Sequence, residues 1–302
     1  MIVMKIWRVL LAGASALALT GLAGCGSPAQ GAATAETLTV TASVYPFEFV
    51  AQRVGGTEVT VAGLTPPGTE PHDLELTARQ VASLATTDLL VHQSGFQPAV
   101  DEAVALQPPV RSVDAASFLT LLPAEDGGEA TDPHTWLDPT NLKAVAEHVR
   151  DALSQARPAA AETFAANTAA LLADLDRLDA DFTAGLTNCR IRPFITSHAA
   201  FGYLAHRYGL EQVAIRGLEP DVEPSAARIA EVQQLARDHE VTTIFYESLT
   251  SPAVSRAIAA DLGLATDVLD PLEAITADSR GSDYLEVMRA NLTALKAANQ
   301  CS

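Results

Sequence analysis

Basic residues are scarce: 19 Lys+Arg face 37 Asp+Glu across 302 residues, for a formal net charge of -18. That balance argues against a nucleic-acid binder, which needs Lys and Arg to neutralise phosphates, and makes cations the natural partners. Aromatic residues are sparse too, at 5%. The chain is nevertheless 48% hydrophobic and long enough to bury a proper core, which excludes a disordered polymer. Much of the apolar fraction is alanine, so the positive mean hydropathy is no membrane signature. There are three cysteines. No His-Glu-x-x-His pattern occurs, which removes the commonest zinc-protease form.

Long apolar runs are equally rare. The one at the N-terminus follows Lys5 and Arg8 and extends from Val9 to about Ala23, the n- and h-regions of a secretory signal. At roughly 15 residues it is too short for an ordinary membrane span. It ends in Leu22-Ala23-Gly24-Cys25, which resembles the lipobox of bacterial lipoproteins, where cleavage precedes an acylated cysteine. Residues 1–24 are thus expected as a signal peptide, Cys25 as the lipidation site, and residues 25–36, rich in Gly, Ala, Ser and Thr, as a flexible tether. Cleavage removes two basic residues and no acidic ones, leaving 278 residues with a formal charge of -20. Cys189 and Cys301 then remain in an oxidising setting where a disulfide persists, and a bridge between them is expected. Two independent thiols are the alternative, because spacing does not show that the side chains meet.

From Thr37 onward short β-rich runs alternate with amphipathic helical runs, the signature of α/β units. Strands are expected near 37–43, 58–64, 88–92 and 110–113, and again near 193–197, 212–216, 242–246 and 266–269. Helices are expected at 47–54, 78–85, 97–105 and 141–155, then at 199–208, 225–239, 252–262 and 283–298. Between the two series Phe164, Leu171, Leu172, Leu175, Leu178 and Phe182 form an apolar stripe of period 3.6. This spacing predicts one long helix from about Ala159 to Leu186, a stiff spacer of roughly 40 Å at 1.5 Å per residue. The fold expected is two Rossmann-like α/β lobes, residues 37–158 and 189–302, each with its own core and joined by a rigid helix over 159–188.

Seven histidines separate by context. His148, His206 and His239 fall within or at the end of helices, where a role other than ligation is expected. His72 lies in the loop Thr65-Pro66-Pro67-Gly68-Thr69-Glu70-Pro71-His72 leaving a strand, His198 follows the strand Phe194-Ile195-Thr196-Ser197, and Asp270 follows Val268-Leu269. Ligands of open α/β sheets bind beyond the carboxyl ends of strands, so these residues emerge where a site belongs. His134 is bracketed by Pro133 and Pro139, which restrict its backbone. Three imidazoles and a carboxylate suit a four- or five-coordinate transition metal, with imidazole favouring zinc over Mg²⁺ or Ca²⁺. One sequence does not show that the four converge; taken singly, each histidine reads as a satisfied polar residue at a loop end.

The chain resembles the solute-binding lipoproteins of zinc- and manganese-importing ABC transporters. The likeness covers nearly all of the mature chain. Its carriers are the lipobox, Pro66-Pro67-Gly68 with Pro71-His72, Asp132-Pro133-His134-Thr135-Trp136-Leu137-Asp138-Pro139, Ser197-His198-Ala199-Ala200-Phe201-Gly202-Tyr203, Phe245-Tyr246-Glu247 and Leu269-Asp270-Pro271-Leu272. The resemblance implies His72, His134, His198 and Asp270 as metal ligands in a cleft between lobes. It also implies a monomeric, non-enzymatic receptor, lipid-anchored through Cys25 at the outer face of the cell membrane, that hands Zn²⁺ to a permease with its ATPase. Manganese-leaning members tend to carry a carboxylate where His198 stands, so the third imidazole favours Zn²⁺, with Mn²⁺ the alternative cargo. Many zinc-specific members have a His-rich acidic loop before Asp-Pro-His; here the loop from Leu122 to Asp132 is short and has no His. Glu247, at a strand end, is the candidate carboxylate to receive the second N–H of a ligating imidazole; a strand-end acid facing solvent is the bland reading. His92 ends a strand too, but the family pattern gives it no ligand role. Trp136 is expected to pack beneath the site. Outside this class, a zinc hydrolase with Glu247 as base to a bound water, or a metal-dependent surface adhesin, is the competing reading.

Overall fold

A computed structural model describes residues 37–124 and 130–302. The signal segment, Cys25, the tether and the acidic stretch 125–129 lie outside the described residues.

The first lobe holds β1 (Leu38–Ala42), α1 (Tyr45–Gly55), β2 (Val59–Gly63), α2 (Ala78–Leu84), β3 (Leu89–His92), α3 (Pro98–Leu106), β4 (Ser112–Asp114) and α4 (Pro139–Ala156). After α5 (Ala161–Leu186), the second lobe holds β5 (Pro193–Thr196), α6 (Gly202–Tyr208), β6 (Glu211–Ala214), α7 (Ala226–Asp238), β7 (Thr243–Tyr246), α8 (Ala253–Leu262), β8 (Ala265–Val268) and α9 (Tyr284–Ala298). Each lobe carries a four-stranded parallel sheet, in the order β2-β1-β3-β4 and then β6-β5-β7-β8. The inner strands are near-continuous apolar runs because helices shield their faces; Leu89–His92 and Pro193–Thr196 are buried at every position. In both sheets the chain reverses its direction of travel beside the first strand. That creates equivalent crevices at the carboxyl ends of β1 and β3 and of β5 and β7.

Local chemistry sets the element ends. Asp138 caps α4 by accepting Thr140 N–H at 2.8 Å, and Pro139, which needs no donor, begins the helix. The helix expected from Ala199 begins only at Gly202. Ala199 N–H donates to Gly217 O and Phe201 N–H to the side chain of Gln212, which commits this backbone to the neighbouring β6 segment instead of a helical turn.

The long helix expected between the lobes is present and is entered through a tighter turn. Pro158–Ala160 forms a 3-10 turn, and the 26 residues of α5 follow, about 39 Å at 1.5 Å per residue. Phe164, Leu171, Leu175, Leu178 and Phe182 are fully buried, while Leu172 is only partly so. Each such side chain contributes about 1.5–3 kcal/mol on burial. The stripe packs against α1 and α4 of the first lobe and α9 and α6 of the second. The largest core is therefore continuous through both lobes, from Val40 and Phe47 through Leu175 to Phe245 and Leu295, with one smaller cluster on each lobe's outer side. Each lobe keeps a minor cluster of its own, as expected, but the main core is shared because both sides of the stripe find partners. Arg207 of α6 adds a polar tie, donating through Nε and Nη2 to Asp179 of α5 at 2.7 Å each and reaching Asp138 at 3.3 Å.

Cys189 and Cys301 are disulfide-bonded across a separation of 112 residues. Closing a loop of that length restricts the unfolded chain by about 4–5 kcal/mol on the loop-entropy account. Asn299 fastens the same tail, donating to Ile191 O at 2.9 Å. Among the described residues no helix is long and apolar enough to cross a membrane.

Candidate metal centre

His72 is delivered by a rigid turn. Thr69 N–H donates to Pro66 O at 3.1 Å, and Gly68 sits at φ 78°, so Pro66-Pro67-Gly68-Thr69 has proline and glycine where a type II turn requires them. His72 N–H then donates to Glu70 Oε1 at 3.1 Å, and Phe96 stands edge-on to the imidazole at 4.9 Å.

His134 is fixed by Asp132, whose Oδ1 accepts both the backbone N–H at 2.9 Å and Nδ1–H at 2.8 Å. Gln93, leaving β3, clamps the same turn by donating to Pro133 O at 2.7 Å and accepting from the Thr135 hydroxyl at 2.5 Å. Trp136 packs beneath, its ring centroid 5.4 Å from that of His134 and its Nε1–H donating to Pro271 O at 2.8 Å. His198 follows β5, and its Nδ1 is 2.7 Å from Glu247 Oε1. Ser197 donates to the same oxygen.

The three imidazoles aim their Nε2 atoms at one point, joined there by a carboxylate. The donor atoms of His72, His134, His198 and Glu273 all lie within 4.8 Å of one another, and all four residues are buried. His134 Nε2 stands 3.2 Å from His72 Nε2 and 3.4 Å from His198 Nε2. Glu273 Oε1 lies 3.1 Å from His134 Nε2, 3.2 Å from His72 Nε2 and 3.7 Å from His198 Nε2. Ligand atoms about 2.0–2.2 Å from a tetrahedral zinc stand about 3.3–3.6 Å apart, so the cage has the dimensions of such a site.

Asp270, expected as the fourth ligand, does not enter the cage. Its Oδ1 accepts Leu272 N–H at 2.8 Å, and its Oδ2 accepts the hydroxyls of Ser248 at 3.1 Å and Ser279 at 3.3 Å. Asn291 brackets the Asp270 backbone, accepting its N–H at 3.0 Å and donating to its O at 2.7 Å. These bonds hold Leu272 at φ 62°, a left-handed conformation costing about 1–3 kcal/mol for such a residue. The bend it makes carries Glu273 inward. The strand-end rule selects the first carboxylate after β8, whereas the turn delivers the second.

Electrostatics match this arrangement. Burial opposes charge on His134, but hydrogen bonds with Asp132 and Glu273 outweigh it and raise the imidazole pKa to about 10. Burial likewise opposes ionisation of Glu273, and hydrogen bonds from His134 and His72 overcome it, holding the carboxyl well below the usual range. Without metal the two form an ion pair. Glu273 Oε2 is buried and has no hydrogen-bond partner among the described residues. Each imidazole also has an outer carboxylate: Asp132 for His134, Glu247 for His198, and Glu219 Oε2 at 3.8 Å from His72 Nδ1. Asp132 and Glu219 had no assigned role in the sequence. An Asp two residues before a loop histidine is a local signal, whereas Glu219 arrives from the other lobe and leaves none.

The remaining histidines stay out of the cage. His148 stacks on Phe118 at 3.7 Å on an exposed helix face, and His206 and His239 are exposed. His92 is buried, with Nδ1 unpartnered among the described residues and its pKa lowered by burial.

Two parallel-sheet lobes around a shared helix, closed over a buried cage of three nitrogens and one oxygen, define a two-lobed metal-binding protein. Residues 40–298 match the family model described as zinc-uptake complex component A, periplasmic, and the chain belongs to that family. It is 36% identical to the zinc-binding lipoprotein AdcA of Streptococcus pneumoniae, with 86% of this chain and 55% of the relative aligned. The chain thus spans about half the length of that relative. It is 32% identical to the high-affinity zinc uptake system protein ZnuA of Bacillus subtilis, over 91% of this chain and 92% of the relative. The crystal structure of the Zn(II)-bound ZnuA-like domain of S. pneumoniae AdcA superposes with a TM-score of 0.77 at 38% identity, covering 87% of this chain and 99% of that one.

Proposed function

We propose that the protein is an extracytoplasmic receptor that captures Zn²⁺ and delivers it to an ABC importer, with His72, His134, His198 and Glu273 as its ligands. The observation that carries this reading is the convergence of three Nε2 atoms and one carboxylate oxygen at tetrahedral spacing. Zinc is cargo here, not a cofactor. With four protein donors the inner shell is closed, as transport and structural sites are, whereas a hydrolytic zinc keeps one position for water. Glu247, the base a hydrolase would need, commits its Oε1 to His198 Nδ1 and the Ser197 hydroxyl. Three imidazoles favour Zn²⁺ over Mn²⁺, which prefers oxygen donors. The names of the zinc-binding relatives support the same cargo. Acylation at Cys25 would tether residues 37–302, lobes and connecting helix together, to the membrane face, where the permease and its ATPase accept the metal; the receptor itself works as a monomer.

Binding is proton-linked. Zinc needs the Nε2 lone pair of His134, and hydrogen bonds with Asp132 and Glu273 raise the pKa of that imidazole to about 10. Metal must therefore displace a proton at neutral pH, and affinity falls as pH falls, by about tenfold per pH unit per proton released. Titration calorimetry of the mature chain at pH 5 to 7.5, in buffers of different ionisation enthalpy, should give one zinc per chain, proton release, and a dissociation constant that rises toward acid. An affinity independent of pH, or no zinc binding, overturns the reading.

A further inference from the structure

The segment Ser197-His198-Ala199-Ala200-Phe201-Gly202-Tyr203 supplies one ligand, His198, yet its last two residues meet the loop that carries another. Gly202 opens α6. A Cβ added there would lie 2.4 Å from Asp132 Oδ2 and 3.6 Å from its Cγ, with no other neighbour within 4 Å among the described residues beyond its own chain neighbours and helix backbone. The Tyr203 hydroxyl donates to Asp132 O at 3.0 Å and accepts Leu122 N–H at 2.9 Å, and its ring is buried. Asp132 is thus seated against the second lobe by its backbone and its carboxylate at once, while its Oδ1 holds both N–H groups of His134.

We propose that Gly202 and Tyr203 are positioning residues for His134. The second lobe, through the residues that follow its own ligand, sets the aim of a ligand carried by the first. Resting on the zinc reading of the cage, the assignment explains why this motif ends in Gly-Tyr: the absent side chain makes room for the Asp132 carboxylate, and the phenol fixes its main chain. Any methyl at position 202 must push Asp132 aside, and the His134 ring turns with it.

The test is a double-mutant cycle on the mature full chain, with zinc affinity read by competition against a chelator. Gly202→Ala should weaken zinc binding by about tenfold and Asp132→Ala by about 10–100-fold, the range for outer partners of metal ligands. Gly202→Ala combined with Asp132→Ala should bind no more weakly than Asp132→Ala alone, because removal of the carboxylate leaves the new Cβ nothing to strike. In the zinc-loaded protein, Gly202→Ala and the near-isosteric Tyr203→Phe should each move the Nδ1–H proton resonance of His134 and leave that of His198, held by Glu247, in place. Wild-type affinity in Gly202→Ala, losses that multiply in the double variant, or equal shifts of both resonances overturn the assignment. If the wild-type chain binds no zinc, the receptor reading falls with it; intact wild-type binding with multiplying losses removes the positioning role alone.

Discussion

Replacing His134 by alanine is expected to lower zinc affinity by at least about tenfold, since losing a ligand costs no less than losing an outer partner, and to destabilise the metal-free protein as well. Both effects have one origin. His134 is the hub of the cage, with its Nε2 within 3.4 Å of the donor atoms of His72, His198 and Glu273. It is also the first hydrogen-bonding group that keeps buried Glu273 ionised. Without it, Glu273 is a buried charge missing its main partner, a situation that costs about 3–5 kcal/mol when one member of a buried pair is removed. Chelator competition and chemical denaturation of the same variant should therefore both move. His198→Ala should weaken zinc binding by at least about tenfold as well. His148→Ala, which loses a surface stacking contact with Phe118 and a bond to Ala144 O within its own helix, should leave zinc affinity unchanged. Equal affinities across the three variants would remove His134 and His198 from the site.

The second large effect separates two carboxylates three residues apart. Glu273→Gln keeps the side chain's volume and removes the anion that would face the metal, so zinc affinity should fall by roughly 100-fold, at the upper end of what even outer partners cost. Asp270→Asn keeps an oxygen able to accept Leu272 N–H and lies outside the cage, so affinity should stay within about threefold of the parent, the loss of one modest hydrogen bond. The two variants share a loop and differ in which group meets zinc. A large loss in Asp270→Asn with none in Glu273→Gln would restore the assignment that strand position suggested.

That contrast also shows where sequence reasoning stopped. Alternation of β-rich and amphipathic runs located the sheets and helices because parallel strands buried on both faces read as apolar runs bounded by turns, as Leu89–His92 and Pro193–Thr196 do. His72 and His198 were legible as residues leaving strand ends, and His134 by the prolines around it. Glu273 was not, since its placement depends on Leu272 adopting a left-handed conformation stabilised by Asp270 and by Asn291, 21 residues beyond Asp270. Glu219 was hidden for a related reason: its approach to His72 spans 147 residues of chain and two lobes. The stripe on α5 was visible as a period, but a period says which face is apolar and not what covers it. Both lobes cover it, and the spacer becomes the spine of a shared core.

The same sharing bears on how the receptor works. The cage draws His72 and His134 from the first lobe and His198 and Glu273 from the second, and α5 packs against helices of both. A Zn²⁺ held by this cage would bridge ligands of both lobes, so loading should tighten the contact between them. The excess of acid over base in the whole chain is a weaker influence, since exposed charges are screened within about 8–10 Å at physiological salt.

The most direct test of the central claim is zinc K-edge X-ray absorption on the one-to-one complex of the mature chain. A single shell at about 2.0–2.1 Å, with the multiple-scattering signature of three imidazoles and one further oxygen and no sulfur, is the predicted result. A shell containing fewer than three imidazoles, or a six-oxygen environment, would contradict the assignment of His72, His134, His198 and Glu273 as the zinc cage.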